Sequence, residues 1–215
     1  MTDQDRCEAS IALLAPGALA LDADFPPLSM ALFEVLLKRC SQRAIAPGEL
    51  RLSLLSRLLW AACGINRPAL AGRTAPSAQD AQEISVYAAM ACGLYRYDPR
   101  ANLLQLVLAE DIRADTGDQD YVASAPVNLV YVAQLDPAPQ ASRVEQRFYA
   151  ALDTGYISQN VYLFCAAEGL ATVARGQLDR PALARRMRLR DGQEVILAQS
   201  VGYPGGVARD DVLLP

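Results

Sequence analysis

The chain has 215 residues and a mass of 23.2 kDa, enough for one domain with a substantial core. At 52% hydrophobic and 20% charged residues, with a net charge of −4, it reads as globular with a slight apolar excess, of the kind a subunit interface absorbs. No basic cluster points to nucleic acid, and no run approaches the roughly 20 uninterrupted apolar residues of a bilayer-crossing helix.

The residue types that are missing narrow the chemistry. With no histidine, Ser–His and Cys–His nucleophile pairs, imidazole metal ligands and imidazole acid–base steps are excluded. Lys38 is the single lysine against nineteen arginines, so a phosphate or carboxylate would be held by guanidinium groups. Cys7, Cys40, Cys63, Cys92 and Cys165 are odd in number, widely spaced and without a CxxC pair. They suggest neither zinc nor a disulfide framework and fit a reducing cytoplasm. The acidic, polar start MTDQDRCEAS lacks the charged head of an export signal.

In chain order, residues 1–25 read as a loosely structured N-terminal extension with a possible short helix at Ser10–Leu21, and 26–215 as a single domain. After Pro26-Pro27, the spacing of Met30, Leu32, Phe33, Leu36 and Leu37 predicts a helix with one apolar stripe, ending in Arg39–Arg43. Pro47-Gly48 punctuates the chain. ELRLSLLSRLLWAACG then predicts a second helix, with Leu50, Leu54, Leu58 and Ala61 on one side and a stop at Gly64. The stretch Gly64–Gln82 has little periodicity and is rich in small residues, which lets a backbone approach a flat ligand closely. On composition alone it is a long connecting loop.

Beyond it, Glu83–Met90, Gly93–Pro99 and Leu103–Ala109 predict a strand meander turning at Cys92-Gly93 and Asp98-Pro99-Arg100. The polar stretch after it is expected to be helical in part. Val127–Leu135 is apolar on both faces, as a central strand should be. A long helix from about Ser142 to Glu168 is apolar nearly all round and is expected in the core or a dimer seam, with Asp153, Thr154, Ser158, Gln159 and Asn160 needing partners. A short helix at Arg180–Leu189 and a last strand at Glu194–Pro204 complete an α+β pattern.

Three stretches could carry chemistry. Arg39, Ser41 and Arg43 could grip a phosphate, although arginines at a helix C-terminus also oppose its dipole. Pro76–Gln82 offers backbone amides, Ser77, Asp80 and Gln82, which turn chemistry would explain as well. Thr172–Gly176 could aim N–H groups into a cavity, or form a plain turn. Tyr95, Tyr121 and Tyr156 are further aromatic candidates, each explained equally by packing or exposure.

Together these pieces resemble the nitroreductase superfamily of FMN proteins, and within it the compact SagB-type dehydrogenase-like branch. The resemblance runs from about Pro26 to Pro204. It rests on LLWAACGINRP (Leu58–Pro68), RTAPSAQDAQEISVY (Arg73–Tyr87), GLYRYD (Gly93–Asp98), APVNLVYVA (Ala125–Ala133), DTGYISQNVYLFCAAEGLATVARG (Asp153–Gly176) and QSVGYP (Gln199–Pro204), in that order. It implies a central antiparallel sheet wrapped by helices, in a homodimer with two non-covalent FMN sites at the interface. The R-x-S-x-R pattern, Arg39-Cys40-Ser41-Gln42-Arg43, would hold the FMN phosphate and the pyrimidine edge. The loop pattern falls on Pro76, Ser77, Ala78, Asp80 and Gln82 and would reach the partner subunit's flavin. Val173, Ala174, Arg175 and Gly176 would turn backbone amides toward flavin N5 and O4, favouring the reduced, anionic flavin.

Two positions depart from the pattern. Asp80 replaces the usual Asn, and a carboxylate cannot donate to a flavin carbonyl unless protonated. Gly205-Gly206 follow VGYP where relatives carry a base, leaving Arg209 as the nearest substitute. The resemblance implies an FMN-dependent oxidoreductase that passes a hydride from NADH or NADPH to a small organic acceptor such as a nitroaromatic or quinone, the flavin rather than a side chain carrying the reaction. Two alternatives stand beside it: a SagB-type flavin dehydrogenase that oxidises its substrate, and a non-catalytic, degenerate member that binds flavin or another ligand.

Overall fold

The structure, a computed structural model, describes residues 17–22, 30–135 and 141–206. Its centre is a seven-stranded sheet in which every paired neighbour is antiparallel. The strands are β1 (Ala18–Ala20), β4 (Ile84–Met90), β5 (Gly93–Asp98), β6 (Leu103–Leu108), β7 (Val127–Gln134), β8 (Ala171–Arg175) and β9 (Gln193–Gly202), in spatial order β1-β6-β5-β4-β7-β9-β8. A hairpin of β2 (Ile65–Arg67) and β3 (Gly72–Arg73) stands apart. The helices are α1 (Leu32–Lys38), α2 (Leu52–Cys63), α3 (Arg143–Glu168) and α4 (Arg180–Arg186).

Period-two alternation divides the core between the two faces of the sheet. From β4 and β7, Ile84, Val86, Ala88, Val127, Leu129, Tyr131 and Ala133 join Leu54, Leu55, Leu58, Leu59 and Ala62 of α2 and Ile157, Val161 and Phe164 of α3. From the same two strands, Tyr87, Ala89, Val130 and Val132 face the other way, onto Leu183 and Met187 at α4. β7 is buried at every position but its last, as its two-sided apolar sequence requires.

α3 is 26 residues long, about 39 Å. Ser142 and Glu145 close a capping box at its start, and Gly169, at φ 69°, turns the chain off its end in a left-handed conformation. At the end of α2, Gly64 lies against Trp60, so close that a Cβ there would stand 2.4 Å from the indole ring.

Three expectations are corrected. Ala18–Ala20, part of the possible helix at Ser10–Leu21, is a strand, because it finds the open edge of β6 to pair with; Ser10–Pro16 lie outside the described residues. The first helix stops at Lys38, and Arg39 onward is extended. Its expected apolar stripe does not reach the core: Leu32, Phe33, Leu36 and Leu37 are 46–87% exposed, and only Val35 of this helix is buried. The Gly64–Gln82 stretch is not irregular throughout, since it contains the β2–β3 hairpin.

Candidate functional site

β8 is an edge strand, and the segment after α1 lies along its free edge. Gln42 donates its backbone N–H to the Thr172 carbonyl at 2.9 Å. Further on, Ile45 pairs with Pro204, Ala46 N–H reaches the Tyr203 carbonyl and Gly205 N–H reaches that of Ala44. The extended chain therefore carries Arg39–Arg43 beside the end of the sheet, with the start of the C-terminal tail next to it. Gly205 and Gly206 sit there; Arg209 lies outside the described residues.

Tyr162, on α3, joins this segment to β8. Its hydroxyl lies 2.8 Å from Ser41 Oγ and accepts the Ala174 N–H at 2.8 Å. Its ring lies beneath the Arg39 guanidinium, whose carbon is 5.5 Å from the ring centre, a cation–π contact worth about 0.5–2 kcal/mol. Arg39, Ser41 and the Val173–Ala174 stretch are thus brought together by a residue that sequence reasoning missed. The available signal was a polar-tipped aromatic in a buried helix, whose hydroxyl must find a partner. Arg39 is half-buried and Arg43 exposed, and neither forms an ion pair with a carboxylate among the described residues. Cys40 is an exposed free thiol between them.

The four-residue donor set expected at Val173–Gly176 narrows. Backbone groups alternate in direction along an antiparallel ladder, and those of Thr172 and Ala174 point out to Gln42 and Tyr162. Val173 and Arg175 therefore turn theirs inward to β9, where they face Ser200 and Ala198. Gly176, exposed just past the strand, has an N–H with no partner among the described residues. The Arg175 side chain runs into the interior instead, where it bonds to the Thr116 carbonyl at 2.6 Å, Thr116 Oγ1 and Asn128 Oδ1. Burial draws its pKa down.

The Pro76–Gln82 loop is built differently. Ser77 Oγ accepts the Gln82 backbone N–H at 3.0 Å, while Gln82 Nε2 donates to the Ala71 carbonyl and to Asp80 Oδ1. Asp80 thus accepts from its own loop. Gln79, Asp80 and Gln82 all adopt positive φ, 51–55°, which costs non-glycine residues about 1 kcal/mol or more apiece. One bond pins the loop to α3: Ala78 N–H donates to Asp153 Oδ2 at 2.9 Å. Beside Asp153 lies Glu83, whose buried carboxylate oxygens have no hydrogen-bond partner among the described residues. Burial, reinforced by the charge of Asp153, pushes the Glu83 carboxyl up to about 7, against the opposing pull of Arg73.

Asp153 and Tyr162 are nine residues apart on one helix. At 100° per residue that is half a turn beyond two full ones, with about 14 Å of rise. The loop and the Arg39–Ser41 cluster consequently sit on opposite flanks of α3. Between them runs a strip of Val144, Phe148, Leu152 and Tyr156, all 42–75% exposed, with Tyr149 beside it. The candidate Tyr156 belongs to this strip, whereas Tyr95 is buried in the core and Tyr121 packs near Ile45 and Val173. A cavity of about 870 Å³ opens elsewhere, between the start of α2 and the β4–β5 turn, and none of the expected site residues lines it.

Comparison with known proteins agrees with this architecture. The family model described as the nitroreductase family matches residues 36–203. A protein of Methanocaldococcus jannaschii, assigned by name as a nitroreductase, is 28% identical over 153 residues, which cover 66% of this chain and 77% of that one. A crystal structure from Ralstonia eutropha JMP134, likewise assigned as a nitroreductase, is 39% identical with a TM-score of 0.84, covering 89% of this chain and 91% of that one. The NADPH:FMN oxidoreductase of Vibrio harveyi, solved with NAD+, shares the fold at 20% identity and a TM-score of 0.63, covering 86% and 73%. The match over 168 of 215 residues, on a seven-stranded antiparallel sheet with a long helix packed on one face, places this chain in the nitroreductase family, among oxidoreductases.

Proposed function

We propose that the protein is an FMN-dependent NAD(P)H oxidoreductase working as a cytoplasmic homodimer, with residues 26–215 forming the flavin-binding unit. The observation that carries this reading is the separation of two half-sites by an exposed apolar strip on α3. In a two-fold dimer the same patch meets itself, and with the axis running along the strip, what lies on one flank faces what lies on the partner's other flank. A second copy packed on Val144, Phe148, Leu152 and Tyr156, and on the exposed face of α1, would set the partner's Pro76–Gln82 loop against Arg39 and Ser41.

The residues present fit the cofactor at its two ends. Arg39 and Arg43, without carboxylate partners, suit the phosphate, and Ser41 stands beside them with its hydroxyl on Tyr162. Gly176 keeps a backbone N–H free for the flavin's reactive edge, where a donor favours developing negative charge. The loop would close over the ring from the partner, with Ser77 fixing its curvature. The chemistry a bound FMN supplies there is uptake of a hydride from NADH or NADPH and its later delivery, in ping-pong order, to an acceptor such as a nitroaromatic or a quinone. The protein binds and orients, and solvent supplies protons to an open site.

Purified protein is expected to be yellow, and anaerobic NADH or NADPH is expected to bleach its visible flavin band. A colourless protein that takes up no added FMN would overturn the reading in favour of a non-catalytic relative. A yellow protein that neither donor bleaches would favour the SagB-type dehydrogenase instead.

A further inference from the structure

The loop's attachment to α3 raises a question that flavin binding does not answer. A strained segment with three left-handed residues needs an anchor, and its one bond to the helix is to a carboxylate buried to 2% exposure. Glu83, which ends the loop and begins the approach to β4, places a second buried carboxyl next to the first. The space beneath the loop, which Asp153 lines, is about 10 Å³, no more than roughly one water could enter.

We propose that Asp153 is a positioning residue that latches the Pro76–Gln82 loop to α3, and that the protonation of Glu83 decides how firmly the latch holds. Protonated, Glu83 is neutral and can donate to Asp153, leaving the other Asp153 oxygen to the Ala78 N–H. Ionised, it puts a second negative charge beside the first, where neither of its buried oxygens finds a hydrogen-bond donor among the described residues. The charged and titratable groups facing the pair are few. Arg73 at β3 opposes the repulsion. Cys63 of α2 lines the same space but is kept a neutral thiol by burial, which pushes it up to about 12. Arg73 also donates to the Ile84 carbonyl, so its charge is shared with the chain just beyond Glu83.

The sign follows from where the proton is held. With the loop latched, Glu83 gives up its proton near 7; with the loop open to water, near its ordinary value of about 4.5. The latch is strongest below about pH 4.5. It weakens by up to about tenfold per pH unit as pH rises toward 7, and is flat above that. Where the loop serves a partner's flavin, as proposed above, cofactor retention would follow the same curve; that consequence rests on the functional reading, the latch itself does not.

Hydrogen exchange of the peptide spanning Ser77–Gln82 tests this in the protein as purified, with or without flavin. Its protection factor, corrected for the intrinsic rate at each pH, is expected to fall between pH 5 and 7 and to level off above. In Glu83→Gln, whose amide still donates but carries no charge, protection is expected to stay high and lose its pH dependence. In Asp153→Ala it is expected to be low throughout. A flat wild-type profile, or the same slope in Glu83→Gln, would overturn the latch. A sloping profile in a protein that never binds FMN would leave the latch standing and remove the functional reading.

Discussion

The two half-sites are built on opposite principles. The Arg39–Ser41 segment lies in extended geometry along a strand edge, and bonds from Gln42, Ala46 and Gly205 knit it to the sheet's end, with Tyr162 as a cross-brace. The Pro76–Gln82 loop is folded mostly on itself, stores backbone strain, and is tied down by one bond to the Asp153 carboxylate and one to the Ala71 carbonyl. The first half is fixed in advance. The second belongs to the low-stability end of the molecule, where segments that close over ligands are drawn from. In the proposed site a rigid tail-grip faces a deformable cover, which would let a small acceptor leave without loosening the bound phosphate.

Mutations can break that comparison at several strengths. The largest effect is expected from Leu152→Glu, a charge placed in the exposed strip midway between the halves. It should separate the protomers, read by sedimentation, and abolish flavin retention while leaving the fold intact by circular dichroism. Arg39→Ala comes next. One charge-assisted hydrogen bond lost from a phosphate is worth about 1.5–3 kcal/mol, or roughly tenfold to a hundredfold in FMN affinity. Riboflavin, which lacks the phosphate, should bind both proteins alike. Tyr162→Phe keeps the ring under Arg39 but removes the hydroxyl between Ser41 and Ala174. About 1 kcal/mol of stability should go with it, and a few degrees in melting temperature.

The smallest effect sharpens the account. A Cβ at Gly205 would press at 3.3 Å on the Ala44 backbone, whereas at Gly206 it meets nothing within 4 Å. Gly206→Arg should therefore fold normally and supply a base close to Arg43. FMN should bind a few-fold tighter, with a steeper dependence on salt.

The sheet was legible because short apolar runs, β7 apolar on both faces, are separated by turns at Gly93 and around Asp98-Pro99. The long helix was legible as an apolar run from about Ser142 to Glu168, and the structure adds the capping box of Ser142 and Glu145 at its start. Ala18–Ala20 was not: three residues carry no period, and only the presence of β6 makes them a strand. The stripe of α1 was seen as apolar, but periodicity cannot distinguish a core-facing stripe from one left exposed. The site residues were marked by a resemblance, and the chain itself added what the pattern could not. Tyr162 as a brace, the inward turn of Arg175 and the Glu83–Asp153 pair all depend on contacts between residues distant in sequence.

The central claim is that each flavin is held by Arg39 of one protomer and the loop of the other, and a hybrid dimer tests it most directly. One chain would carry Arg39→Ala, and the other Ser77→Ala with Gln82→Ala, which removes the bonds that shape the loop. Each homodimer should bind FMN poorly, while the hybrid should regain one tight site, because both lesions fall together in the other. A hybrid that binds no better than its parents would mean that each chain builds its site alone, and would contradict the account.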